Sequence, residues 1–231
     1  MIESESVSGR VSLHVPQVKI CGLTEVAEAV ACADLGASAI GCVFYPPSPR
    51  HLTEERAGEI CRSLPSGVCG VGVFVNEGYE SIMNKVERCG LKAVQLHGRE
   101  PADLVDRLVR QGIMVIKALF LNGTPSIGDA QAYGPSAYLV ECAGGPLPGG
   151  NAMQWDWAAA RGLSERGPFL LAGGLDADNA PRAIQAAWPD ALDVSSGVEL
   201  KPGRKDLNKV KRFIDAVLQT ESPRKLRRVF Q

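Results

Sequence analysis

"VKICGLTEVAEAVACADLG", residues 18–36, has the pattern of a strand followed by a helix. A short β-branched run, Val18–Cys21, leads into a helical pattern that is predicted to begin on Thr24 as N-cap and to stop at Gly36. A strand, a turn and a helix form one β/α unit, and the rest of the chain repeats it. A strand that ends on a thiol is notable, because a cysteine within a strand is usually a small core residue.

Seven further strand candidates follow the first. They are Ala39–Phe44, Val68–Val75, Ala93–His97, Ile113–Phe120, Ala137–Cys142, Phe169–Gly173 and Leu192–Gly197. Helical patterns separate them, including one that begins on Thr53 and one that stops at Gly90. Eight complete units predict an α/β fold with a parallel sheet, and they favour a closed (β/α)8 TIM barrel over an open doubly wound sheet. Active sites of such barrels lie at the carboxyl ends of the strands, so Cys21 is expected in the mouth.

The composition is that of one folded domain, with 45% hydrophobic and 22% charged residues among 231. We predict a barrel over residues 17–219, preceded by a disordered N-terminal extension over residues 1–16. We do not expect the acidic start of this sequence to be a secretory signal. A basic C-terminal tail, residues 220–231, follows the barrel. We interpret this tail as a solvated or frayed end, with a weak phosphate or partner contact as the alternative.

Charge and cysteine content limit the partners. A formal net charge of −1 gives no global field for nucleic acid or a membrane. Seven cysteines without CxxC spacing argue against a disulfide frame or a zinc site and favour reduced thiols in the cytoplasm. No metal and no cofactor is expected, since the three histidines are far apart and no GxGxxG opens a helix. The expected ligand is a phosphorylated small molecule, bound by a monomer or a homodimer.

Polar residues stand at several predicted strand ends. Arg50, in the loop after strand two, suits a bidentate grip on a carboxylate, or belongs to a plain surface loop. Gln95 and His97 end strand four and either line the pocket or are satisfied core groups. Glu141 ends strand six and is either a general acid or a buried, paired glutamate. Asp156 is the rival acid, although its position is more typical of a helix cap.

Two Gly-rich turns follow strands seven and eight, at Leu171–Leu175 and Asp193–Asp206. Loops at these positions are the usual phosphate site of a TIM barrel, and glycines let the backbone approach a ligand closely. The alternative is that the glycines only form tight turns. Lys19 shares the face of Cys21 by strand alternation. It either favours the thiolate or is a buried lysine with a carboxylate partner. A free thiol titrates at about 8.5, so we expect the surroundings of Cys21 to lower its pKa if it acts as a base.

Taken together, these motifs resemble the phosphoribosylanthranilate isomerase family of tryptophan biosynthesis. The matching segments occur in family order across about residues 17–219. They are KICG at Lys19–Gly22, GCVFYPPSPR at Gly41–Arg50, GVFVN at Gly72–Asn76, QLHG at Gln95–Gly98, VIKAL at Val115–Leu119, AGGL at Ala172–Leu175 and DVSSGVELKPGRKD at Asp193–Asp206. The resemblance implies an aldose–ketose isomerase that needs no cofactor and catalyses an Amadori rearrangement of N-(5′-phosphoribosyl)anthranilate.

The resemblance also implies roles for individual residues. Cys21 is expected to be the general base, and the carboxyl group at the end of strand six the general acid. Arg50 is expected to face the anthranilate carboxylate. The remaining pocket residues fall into two groups: Gln95, His97 and Asp193 for the substrate, and Gly173, Gly174, Ser196 and Gly197 for its phosphate.

The chain departs from the family pattern in one place. The family typically carries Asp at the end of strand six in an LLD triplet, and the aligned triplet here is LVE, which ends on Glu141. The next family stretch resembles GGTGKTFDW, and this chain has GGNAMQWDW. The longer stem moves the carboxyl by about 1.5 Å. Two alternatives therefore stay open: a specialised relative acting on another phosphosugar amine, or a catalytically silent barrel that binds a phosphorylated metabolite.

Overall fold

The structure is a computed structural model and describes residues 14–142 and 155–231. Eight parallel strands close into a barrel in chain order. They are β1 Gln17–Cys21, β2 Ala39–Val43, β3 Cys69–Phe74, β4 Ala93–Leu96, β5 Met114–Phe120, β6 Ala137–Glu141, β7 Phe169–Leu171 and β8 Ala191–Val194. The predicted TIM barrel is confirmed. Several strands end earlier than predicted, which leaves the Gly-rich turns after β7 and β8 in the loops of the mouth.

Closure of the barrel joins β1 to β8. Lys19 pairs in register with Asp193 of β8, and Cys21 pairs with Gly41 of β2. Side chains alternate along a strand, so Lys19 and Cys21 share one face. The fold therefore brings residues from opposite ends of the sequence together beside Cys21.

Helices cover the outside of the barrel. The α-helices are α1 Val26–Asp34, α2 Glu54–Ser63, α3 Tyr79–Cys89, α4 Ala102–Arg110, α5 Ala180–Ala187 and α6 Leu207–Leu218. Segments of 3-10 helix occupy 127–132, 157–165 and 196–198. The predicted signals at two helix ends are confirmed: Thr53 accepts a hydrogen bond from the Arg56 amide at 3.3 Å, and Gly90 closes α3 with a φ of 70°.

The predicted N-cap of the first helix is wrong. Helix α1 begins at Val26, and Thr24 uses its hydroxyl to donate to the carbonyl of Gly203 at 2.6 Å. Gly203 lies in the turn of a hairpin between β9 Glu199–Lys201 and β10 Arg204–Lys205, which was not predicted. The hydroxyl therefore ties the loop after β1 to this hairpin instead of capping a helix.

The C-terminal tail closes the amino-terminal end of the barrel. Phe230, only 1% exposed, packs in one cluster with the first residues of four alternate strands. These first residues are all alanines: Ala39, Ala93, Ala137 and Ala191. Side chains inside such barrels are layered by alternate strands, so four small alanine side chains leave room at this end of the barrel for larger apolar groups of the same cluster, Phe230 among them.

Hydrogen bonds hold the tail in place. The side-chain oxygen of Gln17 accepts from the amides of Val229 and Phe230 at 2.7 and 3.0 Å, and its nitrogen donates to the Phe230 carbonyl at 2.8 Å. Asp190, buried at the start of β8, accepts from the Arg227 amide at 2.8 Å. The interpretation of residues 220–231 as a solvated or frayed end is therefore wrong, because three apolar side chains of this basic segment are buried.

The predicted N-terminal extension, residues 1–16, lies outside the described residues except for its last three. Within the part of the chain that is described, no helix is both long enough and apolar enough to cross a membrane.

Candidate active site

A single cavity at the carboxyl ends of the strands contains every residue that the sequence assigned to the site. These ten residues are Cys21, Arg50, Gln95, His97, Glu141, Gly173, Gly174, Asp193, Ser196 and Gly197. They come from six strands or the loops that follow them, so only closure of the barrel could bring them together. The cavity is also lined by residues that the sequence did not single out, including Tyr45, Ser48 and Ser195.

Cys21 lies at the β1 end of the mouth, against Gly41. A β-carbon on Gly41 would lie 2.8 Å from the Cys21 sulfur and 3.2 Å from the Lys19 ammonium. No side chain fits there, so the glycine in β2 makes room for the thiol and the ammonium of β1. The Ser195 hydroxyl donates to the Cys21 carbonyl at 3.0 Å and fixes the end of the strand.

Lys19 is the cation beside Cys21. It is fully buried, and its ammonium donates to Asp193 at 2.7 Å across the β1–β8 seam. Burial acts to lower the pKa of Lys19, but Asp193 and Cys21 outweigh it and the pKa is raised. Lys19 is therefore charged. The geometry fits both interpretations of Lys19: it is a buried lysine with a carboxylate partner, and it also faces the Cys21 thiol.

The expected effect on the thiol is wrong in direction. Burial raises the pKa of Cys21, Lys19 and Lys205 act to lower it, and Asp193 acts to raise it. The net result is a raised pKa, because loss of water around a thiolate outweighs the nearby ammonium groups. At neutral pH Cys21 therefore rests as a thiol.

Glu141 stands on the other side of the mouth and is paired. Its Oε1 lies 3.1 Å from Nε2 of His97, and Nδ1 of His97 lies 2.8 Å from Nε2 of Gln95. All three side chains are at least nine-tenths buried and still line the cavity. Burial acts to lower the pKa of His97, but the Glu141 carboxylate outweighs it, so the pKa is raised. Glu141 thus has both features considered from sequence: it is a buried, paired carboxyl and it reaches the mouth.

The loop that carries His97 is held by a second buried ion pair. Lys117 of β5 donates to Glu100 at 2.8 Å and to the Gly98 carbonyl at 2.8 Å. Glu100 in turn accepts from the amides of Asn76 and Gly98 at 2.9 and 3.0 Å. Both charged side chains are buried, and they fix the backbone next to His97. The sequence offered Lys117 only as part of a motif, without a role.

Arg50 is buried at the edge of the mouth against Glu199. Its Nε and Nη2 donate to the two oxygens of Glu199 at 2.8 and 2.7 Å. Lys205 donates to the same carboxylate at 2.9 Å. Burial acts to raise the pKa of Glu199, but Arg50 and Lys205 outweigh it, so the pKa is lowered. One edge of the guanidinium is therefore engaged within the protein, and only the Nη1–Nη2 edge remains for a ligand.

Glu199 and Lys205 were missed in the sequence, although both stand in the quoted run after β8. Both belong to the hairpin of β9 and β10, so their position beside Arg50 depends on an element that the sequence did not predict.

The loops after β7 and β8 form a glycine-rich edge of the cavity. Gly173 and Gly174 have φ angles of 87° and 65°, a region that glycine adopts readily. A β-carbon on Gly197 would overlap the carbonyl oxygen of Leu175, so the two loops touch by their backbones. The Trp155 indole donates to the Ala172 carbonyl at 3.1 Å and borders the same loop. Backbone in close contact with a cavity is the arrangement that binds phosphate through its amides.

Asp156 has the structural position expected of a cap. Its carboxylate accepts from the Ala158 amide at 3.1 Å at the start of the 3-10 segment Trp157–Glu165, and the residue does not line the cavity formed by the described residues. This contact favours Glu141 over Asp156 as the acid of the mouth.

The fold and the cavity define a class of protein: a (β/α)8 barrel whose mouth holds a thiol, a carboxyl group and a glycine-rich edge. Comparison with known proteins makes this class specific. Residues 18–216 match the family model described as N-(5′-phosphoribosyl)anthranilate (PRA) isomerase. The chain belongs to the N-(5′-phosphoribosyl)anthranilate isomerase family.

Individual relatives agree with this assignment. The chain is 56% identical over 214 residues to N-(5′-phosphoribosyl)anthranilate isomerase of Desulfatibacillum aliphaticivorans, an alignment covering 93% of this chain and 98% of that protein. The crystal structure of the isomerase from Thermotoga maritima superposes with a TM-score of 0.79 at 37% identity, over 88% of this chain and 98% of that one. A structure of a phosphoribosyl anthranilate isomerase in complex with reduced 1-(o-carboxyphenylamino)-1-deoxyribulose 5-phosphate has a TM-score of 0.77, also at 37% identity, over 88% and 98% of the two chains.

Proposed function

We propose that this protein is an aldose–ketose isomerase of tryptophan biosynthesis that converts N-(5′-phosphoribosyl)anthranilate to 1-(o-carboxyphenylamino)-1-deoxyribulose 5-phosphate. The observation that carries the proposal is the shared cavity: Cys21, Glu141 and the two glycine-rich loops line one mouth in a chain of this family. A base, an acid and a phosphate site are the parts that a proton-transfer reaction on a phosphosugar needs.

The reaction begins with the acid. Glu141 donates a proton to the furanose ring oxygen as the bond from that oxygen to C1′ breaks, and the nitrogen lone pair forms a protonated imine. The thiolate of Cys21 then removes the proton from C2′. The electron pair of that bond forms a C1′–C2′ double bond and neutralises the nitrogen. The resulting enolamine gains a proton at C1′ and loses one from its C2′ hydroxyl, which gives the ketone.

Cys21 must lose its proton before it can act as base. Since burial raises the pKa of the thiol, the charge of Lys19 is the main local feature that favours the thiolate. Asp193 holds Lys19 at 2.7 Å and keeps it beside the sulfur. We assign Lys19 to activation of the base and Asp193 to its support, in addition to a contact of Asp193 with the substrate.

The substrate is oriented by its two anionic ends. The free Nη1–Nη2 edge of Arg50 is the proposed contact of the anthranilate carboxylate, and the Glu199 pair keeps the guanidinium in place. Gly173, Gly174, Ser196 and Gly197 are the proposed phosphate site, through their backbone amides. The carboxylate and the phosphate then hold the ribose between Cys21 and Glu141.

The experiment is a turnover assay with N-(5′-phosphoribosyl)anthranilate, followed by loss of its fluorescence. Turnover by the parent protein that is abolished in Cys21→Ser supports the proposal. Binding without turnover in the parent protein would instead indicate a silent barrel. Neither binding nor turnover, with inorganic phosphate still bound at the glycine-rich loops, would indicate a relative that acts on another phosphosugar amine.

We further propose a cytoplasmic location and a monomeric or homodimeric state. None of the cysteines in residues 14–142 and 155–231 forms a disulfide with another, which agrees with a reducing compartment. Light scattering at micromolar concentration measures the oligomeric state, and a larger assembly would contradict this proposal.

A further inference from the structure

One buried polar atom of the mouth is without a hydrogen-bond partner in the described part of the chain. This atom is Oε1 of Gln95, a side chain that is only 1% exposed. The other amide atom, Nε2, lies 2.8 Å from Nδ1 of His97. Buried acceptors without partners are rare and costly, so this amide orientation needs a physical reason.

The orientation determines which nitrogen of His97 carries a proton. An amide nitrogen can only donate, so Nδ1 of His97 accepts from Gln95, and the neutral ring then carries its hydrogen on Nε2. Nε2 faces Oε1 of Glu141 at 3.1 Å and donates to it. Hydrogen bonds therefore run in one direction, from Gln95 to His97 and from His97 to Glu141.

This direction suits an acid that gives its proton to the mouth. Because Oε1 of Glu141 accepts from His97, the acidic proton is left to Oε2. Once that proton has gone to the substrate, the hydrogen bond from His97 becomes charge-assisted and stronger. His97 thus stabilises the carboxylate that proton donation produces.

The opposite amide orientation would have the opposite effect. With Oε1 of Gln95 facing Nδ1, the ring proton would move to Nδ1 and Nε2 would become an acceptor. Glu141 would then direct its own proton to the imidazole instead of the mouth. That arrangement satisfies Oε1 of Gln95 but removes the acid from the reaction, which explains why the unsatisfied atom is retained.

We propose that Gln95 and His97 are positioning residues for Glu141 and not contacts of the substrate. Gln95 selects the tautomer of His97 that is protonated on Nε2, and His97 holds one oxygen of Glu141 and stabilises its carboxylate. The proposal rests on the proposed role of Glu141 as general acid. It changes the earlier assignment of both residues from substrate binding to support of the acid.

The tautomer is measured directly by nitrogen NMR of protein labelled with 15N-histidine. The chain has three histidines, so few signals need assignment. At a pH above the raised pKa of His97, where the ring is neutral, the expected spectrum of the parent protein has His97 protonated on Nε2 and unprotonated on Nδ1. In Gln95→Glu a carboxylate faces Nδ1, and the pattern should reverse. A parent spectrum with Nδ1 protonated, or no change in Gln95→Glu, overturns the proposal.

Two variants make this measurement specific. His97→Asn removes the signals of interest and so identifies them, whereas His51→Asn alters an exposed histidine and should leave them unchanged. No substrate is present in this experiment. Its failure is therefore distinct from failure of the proposed function, which would be a lack of turnover.

Turnover separates positioning from substrate contact. His97→Asn is too short to reach Glu141, and loss of a hydrogen bond to a charged group should lower kcat about 10- to 100-fold with little change in KM. His97→Gln places an amide donor near the position of Nε2 and should recover most of that loss. A raised KM with unchanged kcat in both variants would identify a substrate contact and overturn the proposal, as would equal loss of kcat in the two variants.

Discussion

The two ends of the barrel are built differently. At the carboxyl ends of the strands, ionisable side chains are buried around a cavity: Lys19, Asp193, His97 and Glu141. At the amino ends, four alanines and Phe230 belong to one buried apolar cluster. The first arrangement keeps charges out of water, and each of these charges needs a partner at 2.7–3.1 Å. The second removes apolar surface from water. Burying ionic groups adds little net stability, while burying a phenyl ring adds a good deal. The comparison indicates that activity depends on the mouth and stability on the closed end.

The largest expected effect is at the mouth. Cys21→Ser should lower kcat about 10⁴-fold, the upper end for loss of a general base, because an alcohol is a far weaker base than a thiolate. The melting temperature should change little. Cys42, buried in β2 on the opposite face, is the matched control, and Cys42→Ala should retain most of the activity. Equal turnover in Cys21→Ser and the parent protein would remove Cys21 from the mechanism.

Glu141 should show the next largest effect. Glu141→Gln keeps the shape but has no acidic proton, so kcat should fall about 10³-fold. Glu141→Asp restores the family residue and should retain activity within about a hundredfold of the parent protein, since a shift of about 1 Å can cost about a hundredfold. Initial rates with saturating substrate measure both. Normal turnover in Glu141→Gln, together with an inactive Asp156→Asn, would transfer the acid role to Asp156.

The closed end should show the reverse pattern. Phe230→Ala should destabilise the protein by about 3 kcal/mol, because the space between the four alanines stays empty. For a chain of this length the melting temperature should fall by roughly 6–12 °C. The kcat at 25 °C should not change, and the exposed neighbour Arg228→Ala should affect neither quantity. A large loss of kcat in folded Phe230→Ala would mean that the two ends of the barrel are not independent.

The fold and the residues that line the cavity could both be predicted because both depend on local sequence patterns. Strand and helix patterns are local, and each candidate residue was placed by its position at a strand end, so closure alone was enough to gather ten of them in one cavity. The tail was misjudged because its burial is not local. Leu226, Val229 and Phe230 are spread among basic residues, and the apolar cluster that buries Val229 and Phe230 is built from strands far away in the sequence.

The direction of the pKa shift at Cys21 was harder to predict from the sequence than the positions of the site residues. The neighbour of Cys21 was found from strand alternation, but whether its charge or the burial of the sulfur dominates depends on how closely the mouth is packed. The Glu199 pair of Arg50 was missed for a similar reason, since it requires the hairpin of β9 and β10. Which residues meet could be inferred from a pattern of strand ends, whereas the balance between burial and charge required the structure.

Substitution of Gly197 tests the proposed phosphate site, and its expected effect on activity is smaller than the effects at Cys21 and Glu141. Gly197→Ala would press its methyl group against the carbonyl oxygen of Leu175 and push the loops after β7 and β8 apart. We expect kcat/KM to fall about 10- to 100-fold, mainly through KM, because the phosphate amides move out of place. Gly162→Ala is the control, since a β-carbon there has nothing within 4 Å. An effect on kcat alone would argue against a phosphate site at these loops.

The smallest expected effect concerns the ionisation of Cys21. Because its pKa is raised, the thiolate should form with a midpoint above the ordinary thiol value of about 8.5, and the rate of Cys21 alkylation by iodoacetamide should still increase with pH beyond that value. The background from the other cysteines is subtracted with Cys21→Ser. Lys19→Met removes the cation that favours the thiolate, so the midpoint should move up. Asp193→Asn removes a carboxylate that disfavours the thiolate, so the midpoint should move down. Opposite shifts in these two variants would show that the direct charge of Asp193 on the thiolate dominates. Upward shifts in both would show instead that the hold of Asp193 on Lys19 outweighs that direct effect.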